Sequence, residues 1–430
     1  MKLETFNTIL LVILVALSLV LTAFVWTFQS NGFESDNLIT EEPQTLDGTE
    51  KQLADLVRPS HVYINEENNH FVFASKDDTE EAFVNGLSEW TLTNLKQSEL
   101  SSIPDTSIEL VYPVTISYSQ LNTLFQVEGT NSDTSSLVNG EFTRIYLSNN
   151  DDNTTTLIFL NETLDNPLEN VVTATVVNSV NDVINDKEDL LAAVPLAENQ
   201  SNAWDQIYLP QNLQIENRVV RSETVSRDEF SNIYLDDPIT LGDQYIDSNR
   251  LESVKFSNNG NYGTYYTNRT SSTRAASRAE QLQAAIHAIN SHKGWTNNFR
   301  LYDVAGKGNF TFEFRMILDG YPVFQQNKLS LLSIQMQYGH PEPGRYERTL
   351  LNISSTSGRP DGEKTLTAQE VKNWISDNNY ISRDIQDVAV GYQLEEFDSD
   401  IYKYKLSPYW YIEVDGRWIE VGDNTAGGTD

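Results

Sequence analysis

The stretch FRLYDVAGKGNFTFEFRMILDGYPVF, Phe299 to Phe324, decides the fold class because it combines strand alternation with two turn signals. From Phe310 to Leu318 apolar and polar residues alternate, and a period of two predicts a half-buried strand. Asp319-Gly320 predicts a type I′ hairpin in which Leu318 faces Tyr321. Gly306-Lys307-Gly308 lacks both the spacing and the following helix of a phosphate loop, so it predicts a turn.

The remainder of the chain repeats these signals and adds helices. Asp415-Gly416 predicts a second hairpin of the same type. Thr367 and Glu370 have the spacing of a capping box at the start of a helix, as do Ser226 and Glu229. An apolar face from Leu282 to Ile289 predicts the clearest helix, with Gly294 at its C-terminal cap.

Three further patterns give expectations that a structure can test. The apolar residues between Phe83 and Leu95 recur at helical spacing, and the segment from Val180 to Ala193 also favours a helix. Tyr346 to Ile353 is typical of one strand. Because strands are grouped together between helices, the pattern predicts an α+β protein with mainly antiparallel sheets and helices on one face.

Composition limits what the chain can do. Its 430 residues carry a formal net charge of −33, which disfavours nucleic acid and other polyanions as partners. With 39% hydrophobic residues the chain can bury large cores, so it is not of the disordered class. It has no cysteine, which excludes disulfides, thiolate metal sites and a cysteine nucleophile.

The N-terminus predicts a membrane anchor. Thr8 to Phe28 is nearly all apolar and, as a helix, would span roughly 31 Å, the thickness of one bilayer core. Aromatic residues at its end make a poor cleavage context, although a cleaved secretory signal is the alternative. Lys2 precedes this run and an acidic stretch follows it, so we expect the N-terminus in the cytoplasm and the body outside a single-pass helix.

Composition shifts predict the organisation of the chain. We expect a signal-anchor transmembrane helix, a polar linker and three extracytoplasmic α+β domains, of which the last two resemble each other. The predicted bounds are 1–29 for the anchor, 30–53 for the linker, and 54–196, 204–305 and 306–424 for the domains.

No motif indicates catalysis. The five histidines lack metal-ligand spacing, with His287 and His292 five residues apart on one helix. There is no G-x-S-x-G elbow, and the acidic runs do not match a calcium loop. The sequence therefore predicts a protein that is not an enzyme and needs no cofactor or metal, with a paired-carboxylate hydrolase as a remote alternative.

The predicted membrane helix has one distinctive face. Ser18 and Thr22 lie four residues apart and share this face with Leu11 and Leu14. Small hydroxyl residues let helices approach closely and form hydrogen bonds in lipid. These four residues are the candidate partner-binding positions, and a plain anchor is the alternative.

The order of several segments resembles the YycH (WalH) family of Gram-positive regulators. The resemblance rests on LSLVLTAFVW in the anchor, on AIHAINSHKGW before the opening stretch, and on VAVGYQ before LSPYWYIEVDGRWIEV. It implies a regulator of a WalK (YycG)-type sensor histidine kinase of the WalK–WalR system, acting with a YycI-type companion protein, with membrane helices supplying much of the contact. It brings no catalytic residues. The alternative is an extracytoplasmic binding module for a cell-wall fragment or peptide.

Overall fold

The computed structural model describes residues 44–128, 140–197, 202–249, 251–268, 276–325, 328–337, 343–356, 362–397 and 403–422. All of them belong to one compact unit that begins at Gln44. The predicted anchor and the first part of the predicted linker lie outside the described residues. Within the described part of the chain, no helix is both long and apolar enough to cross a membrane.

The first half of the chain builds an N-terminal sheet of ten strands in the order β10-β9-β2-β1-β4-β6-β7-β8-β3-β5. All pairs are antiparallel except β3 with β5. Four short α-helices accompany it within the described residues. The elements are α1 Leu53–Leu56, β1 His61–Glu66, β2 Asn69–Phe73, α2 Glu81–Leu87, β3 Thr91–Ser98, β4 Thr106–Ser117, α3 Leu121–Leu124, β5 Gln126–Val127, β6 Glu141–Asn149, β7 Thr155–Leu160, β8 Val171–Val176, α4 Asn181–Asn185, β9 Leu190–Pro195 and β10 Tyr208–Pro210.

The second half builds a C-terminal sheet of fourteen strands and a two-stranded sheet of β11 with β23. The strands of the large sheet follow the order β13-β14-β15-β16-β21-β20-β18-β19-β24-β25-β12-β22, with β17 beside β18 and β26 beside β25. The elements are β11 Asn212–Glu216, β12 Arg218–Thr224, α5 Arg227–Asn232, β13 Ile239–Leu241, β14 Gln244–Ile246, β15 Glu252–Ser257, β16 Tyr262–Thr267, α6 Arg278–Asn290, β17 Phe299–Lys307, β18 Asn309–Leu318, β19 Tyr321–Phe324, β20 Leu331–Met336, β21 Pro343–Thr349, β22 Leu351–Thr356, β23 Glu363–Thr367, α7 Ala368–Asp377, β24 Ile385–Glu396, β25 Lys403–Val414 and β26 Arg417–Glu420.

The opening stretch forms three consecutive strands, as its alternation predicts. β17 and β18 meet at a turn around Gly308, and Leu318 pairs with Tyr321 across the next turn. Asp319 and Gly320 both have positive φ, at 48° and 78°, as a type I′ turn requires. The antiparallel sheets and interspersed helices confirm the α+β class.

The predicted capping boxes are also present. Ser226 accepts from the backbone N–H of Glu229 at the start of α5, and Thr367 accepts from that of Glu370 at the start of α7. A third box, Ser277 with Glu280, starts α6 and is absent from our expectations. Each box satisfies backbone donors that a helix N-terminus leaves without intrahelical partners.

Two predicted helices are wrong over part of their length. The helix expected from Phe83 to Leu95 ends at Leu87, and Leu95 lies in strand β3. The helix expected from Val180 to Ala193 is limited to Asn181–Asn185, and its second half is strand β9, which pairs with β2. In both cases pairing with strands of the N-terminal sheet outweighs a weak local helix preference.

Two smaller expectations are wrong as well. The single strand expected from Tyr346 to Ile353 is split at Leu350, so that β21 pairs with β16 and β20 while β22 pairs with β12. Gly294 does not provide a left-handed cap for α6, because the residue with positive φ is Lys293, at 51°. A Cβ on Gly294 would lie 2.7 Å from the side chain of Ile289, so this glycine allows close packing instead.

In the second half of the chain, strands from the predicted central domain pair with strands from the predicted C-terminal domain. β17 crosses the predicted domain boundary between residues 305 and 306, and β12 pairs with β25 and β22 from beyond it. The two halves of the chain share one hydrophobic cluster, which includes Leu56, Phe142 and Phe314. The division into separate central and C-terminal domains stays a prediction.

Candidate functional site

The four residues predicted to contact a partner, Leu11, Leu14, Ser18 and Thr22, lie outside the described residues. The structure instead presents two features where the first part of the chain meets the C-terminal sheet. One is a strap, residues 44–51, that precedes the N-terminal sheet but is fastened to helix α6 and the turn after it. The other is a polar cleft between the two large sheets.

The strap is held by backbone hydrogen bonds to the turn after α6. The N–H of Leu46 donates to the carbonyl of His292 at 2.8 Å, and the N–H of Thr49 donates to that of Trp295 at 3.2 Å. Leu46 is buried, and Thr49 and Trp295 form an isolated antiparallel bridge. The first described residues are therefore tied to residues about 245 positions later.

Asn290, the last residue of α6, fastens the end of the strap. Its Oδ1 accepts from the backbone N–H of Lys51 at 2.9 Å and from the indole N–H of Trp295 at 2.7 Å. Its Nδ2 donates to the carbonyl of Lys51 at 2.9 Å. One side chain thus satisfies three partners and positions both the strap and the indole.

A buried arginine holds the turn to which the strap binds. Arg348, fully buried in β21, donates to the carbonyl of Gly294 at 2.7 Å and to Oγ1 of Thr296 at 2.6 Å. Its Nε donates to the carbonyl of Thr349 at 3.0 Å. Buried charge is costly unless it is hydrogen-bonded, and here the bonds to Gly294 and Thr296 hold the strap's docking turn while the others stay within β21.

Gly48 gives a direct test of the strap. A Cβ at this position would lie 2.6 Å from the carbonyl carbon of Trp295, which is backbone and cannot rotate away. We expect Gly48→Ala to displace the strap and to cost about 1–3 kcal/mol, as overpacking generally does. The displaced strap should be cut faster by trypsin at Lys51, as a time course of limited proteolysis would measure.

Gly86→Ala is the matched control. Gly86 is exposed in α2, and a Cβ there meets nothing within 4 Å. Alanine is a better helix former than glycine by roughly 0.5–1 kcal/mol, so this variant should be slightly more stable with unchanged cleavage at Lys51. Equal cleavage of the two variants would contradict the close packing of the strap.

The cleft has a volume of about 630 Å³ and lies between the N-terminal and C-terminal sheets. Its lining is largely polar, and five of its charged residues come from strands β17, β18, β24 and β25. The charged residues and histidine along it are His61, Arg144, Glu162, Asp303, Glu313, Arg315, Lys328, Asp387, Glu413, Asp415 and Arg417.

His61 and Asp387 connect the two walls of the cleft. His61 Nε2 lies 2.7 Å from Oδ1 of Asp387, and the Asp387 carboxylate also accepts from the backbone N–H of Val388 at 2.7 Å. Burial raises the pKa of the Asp387 carboxyl, but the charge and hydrogen bond of His61 outweigh this and hold that pKa below its usual value. The carboxylate is therefore ionised at neutral pH.

Arg144 forms the charged part of the N-terminal wall. Its Nη1 donates to Glu109 at 2.5 Å, and its Nε donates to Glu162. Tyr146 donates to the same Glu109 oxygen at 2.9 Å. Glu109 is only 2% exposed, so the guanidinium balances a carboxylate that has almost no access to water.

Arg315 has a different environment on the opposite wall. Its guanidinium lies 4.4 Å from the ring centre of Tyr302 and 4.5 Å from that of Phe324. Its nearest acidic atom among the described ion pairs is Oε1 of Glu313 at 3.5 Å. Cation–π contacts of this kind position an arginine without neutralising the carboxylates around it.

Sequence reasoning missed both features because each joins residues far apart in the chain. It recognised the helix that ends at Asn290 and the strand that carries Arg315, but nothing local marked either as part of a site. Among the described residues, no three His, Asp or Glu side chains converge closely enough to hold a metal ion. The arrangement fastens the strap to α6 and joins the two walls of the cleft through His61 and Asp387.

Together these features define a class: α+β proteins in which an N-terminal sheet and a larger C-terminal sheet enclose a polar cleft, with an N-terminal strap fastened to the C-terminal part. Two family models match the chain. The model described as “YycH protein, N-terminal domain” matches residues 4–189, and “YycH protein, C-terminal domain” matches residues 205–425. The chain belongs to the YycH family.

Known relatives agree with this assignment. The chain is 20% identical to the “Two-component system WalR/WalK regulatory protein YycH” of Bacillus subtilis (strain 168), with 98% of this chain and 97% of the relative covered. It also matches the crystal structure of YycH from Bacillus subtilis with a TM-score of 0.69 and 15% identity, over 88% of this chain and all of the other. At that identity the structural match shows the shared fold. The relative is named as a regulatory protein, and the matching models indicate no catalytic family.

Proposed function

We propose that this protein is a non-enzymatic, membrane-anchored regulator of a WalK-type sensor histidine kinase, acting together with a YycI-type companion. Family membership and the name of the Bacillus subtilis relative support the kinase system as its target. In this proposal Thr8 to Phe28 crosses the cell membrane once, with the N-terminus in the cytoplasm and the body outside.

The observation that carries a mechanism is the strap. Residues 44–51 belong to the second half of the predicted linker and are fastened to α6 and Trp295 rather than hanging free. The body therefore holds the chain from residue 44 onward, which leaves only residues 30–43 of the predicted linker between it and the proposed anchor. A contact that favours one kinase conformation by about 1–3 kcal/mol would change the kinase equilibrium by 5–150-fold.

The proposed contact within the membrane uses Leu11, Leu14, Ser18 and Thr22. We expect Ser18→Leu plus Thr22→Leu to weaken co-purification with the kinase and companion roughly tenfold, because interhelical hydrogen bonds and close approach are lost. The amount of kinase recovered from solubilised membranes with the tagged protein measures this effect.

Ala16→Leu plus Val20→Leu is the matched control, since these two residues have the same four-residue spacing but lie on the opposite face of the proposed helix. It adds similar bulk and should leave recovery unchanged. If the two double variants recover the same amount of kinase, the proposed helix face is wrong. Kinase that is still recovered in that case would be held by contacts of the outer body.

A further inference from the structure

The cleft brings together two like-charge pairs on neighbouring strands. Asp303 on β17 lies directly opposite Glu313 on β18, and Asp387 on β24 lies directly opposite Glu413 on β25. All four residues line the same cleft. Like charges directly opposite each other destabilise a sheet, so two such pairs in one cavity are unfavourable in the free protein.

Irregularities in both strands set up this arrangement. The pairing of β17 with β18 shifts between Leu301 and Asp303, and that of β24 with β25 shifts between Ile385 and Asp387. Tyr302 and Gln386, the residues that the register shifts leave without an opposite residue, also line the cleft. Bulges re-aim side chains and are common beside functional sites.

The cations already present do not neutralise the four carboxylates. Among the described residues, His61 pairs with Asp387 and Arg315 pairs with Glu313 at 3.5 Å, while Asp303 and Glu413 form no ion pair. The other described arginine and lysine side chains along the cleft, such as Lys328 and Arg417, make no ion pair with these four carboxylates. Arg315 is 7% exposed, and its Nε–H has no hydrogen-bond partner among the described residues. A buried donor without an acceptor is costly, and the guanidinium that carries this Nε–H lines the cleft.

This combination argues against two ligand classes and favours a third. No three acidic or histidine side chains in the described ranges converge to hold a metal ion, which argues against a divalent cation. A simple anion would be attracted by Arg315 but repelled by the two carboxylate pairs. A peptide with a basic side chain offers both a polyatomic cation and carbonyl acceptors, and a cavity of about 630 Å³ has room for a few residues.

We propose that the cleft binds a peptide segment through an ammonium or guanidinium side chain that faces the Asp303–Glu313 and Asp387–Glu413 pairs. This assignment goes beyond regulation of the kinase and does not depend on it. The bound cation replaces the mutual repulsion of the carboxylates with attraction, and the peptide backbone supplies acceptors to the wall that carries Arg315.

Glu413 makes binding dependent on pH. Burial, with Asp387 and Asp303 adding to it and Arg315 opposing it, raises the pKa of the Glu413 carboxyl to about 7. The charged groups that face it are Asp387 on β24, Asp303 on β17 and Arg315 on β18, with His61 on β1 behind Asp387. A bound cation favours ionised Glu413, so binding releases a proton and tightens as pH rises from about 6 to 8.

The probe is the tripeptide Gly-Lys-Gly with both ends blocked, titrated into the full-length protein by calorimetry. Gly-Gln-Gly, blocked in the same way, lacks the charge and is the reference ligand. At physiological ionic strength the Debye length is about 8 Å, which screens the general field of the acidic chain. We expect saturable binding with Kd of about 1 mM or tighter, and at least tenfold weaker binding of the glutamine peptide.

Glu413→Gln tests the site, and Glu395→Gln is its matched control. Glu395 lies on β24, is exposed and does not line the cleft. We expect Glu413→Gln to raise Tm, because a repulsion is removed, and to weaken binding of the lysine peptide roughly tenfold, a factor equal to about 1.4 kcal/mol. Glu395→Gln should change binding less than twofold.

Three results would overturn the proposal. They are no saturable binding of the lysine peptide up to ~10 mM, equal binding of the two peptides, or equal weakening by both variants. The last result would mean that the general charge of the protein attracts the probe. None of these results bears on co-purification with the kinase, so the failure of this proposal is distinguishable from the failure of the regulatory function.

Discussion

Arg144→Met is expected to destabilise the folded protein by about 3–5 kcal/mol. The substitution leaves Glu109, which is 2% exposed, as a buried carboxylate without its cation. Its remaining partners, the hydroxyl of Tyr146 at 2.9 Å and the amide of Asn65 at 3.3 Å, are neutral. Methionine fills a similar volume, so the loss reflects charge rather than a cavity. Denaturant titration would measure the change in the free energy of unfolding, provided that its dependence on denaturant concentration is the same in both proteins.

A second substitution shows whether the loss of stability comes from the uncompensated charge of Glu109. In Arg144→Met with Glu109→Gln the uncompensated charge is gone, and most of the lost stability should return. Arg345→Met is the exposed control, because Arg345 is 44% exposed although it lies 2.7 Å from Glu347. It should cost at most about 1 kcal/mol. Equal losses in Arg144→Met and Arg345→Met would show that burial does not set the strength of the Arg144–Glu109 pair.

Trp295→Ala is expected to cost about 3–5 kcal/mol and to release the strap. Trp295 is 2% exposed and packs edge-on against Phe314 at 5.0 Å between ring centres. Its indole N–H donates to Asn290, the same residue that holds Lys51. Removal of the indole therefore opens a cavity in the core and loosens the fastening of residues 44–51. Denaturant titration measures the first effect, and tryptic cleavage at Lys51 measures the second.

Trp374→Ala is the control of equal size. Trp374 is half-buried on α7 and stacks on Tyr380 at 5.4 Å, away from the strap. It should cost less than Trp295→Ala and leave cleavage at Lys51 unchanged. If Trp295→Ala is destabilised but its strap stays protected, the strap is held by its backbone bonds alone and the role assigned to the indole is wrong.

Local signals were sufficient to predict much of the secondary structure. The two Asp-Gly turns and the Ser226 and Thr367 caps depend on residues within four positions of each other, so their chemistry can be read directly. The helices expected from Val180 to Ala193 and from Phe83 to Leu95 are wrong where strand pairing competes. The pairing partners lie elsewhere in the chain and leave no mark on the segment itself.

The strap and the cleft could not be predicted from local sequence patterns for the same physical reason. Lys51 and Asn290 are 239 positions apart, and Asp387 becomes the neighbour of His61 only when two sheets pack. Like charges such as Asp387 and Glu413 are unremarkable in an acidic chain until the register places them opposite each other. Family resemblance, in contrast, depends on ordered segments and could be recognised from the sequence.

The proposed regulation is tested most directly by isolating membrane complexes with the kinase and its companion. The full-length protein is compared with a variant that lacks the residues before Ser30, each carrying the same tag and signal for export. We predict that the full-length protein retains the kinase and that the shortened protein loses at least nine-tenths of it, because the proposed membrane contact is gone. Equal retention by both proteins, or no retention by the full-length protein, would contradict a regulator that acts through its membrane anchor.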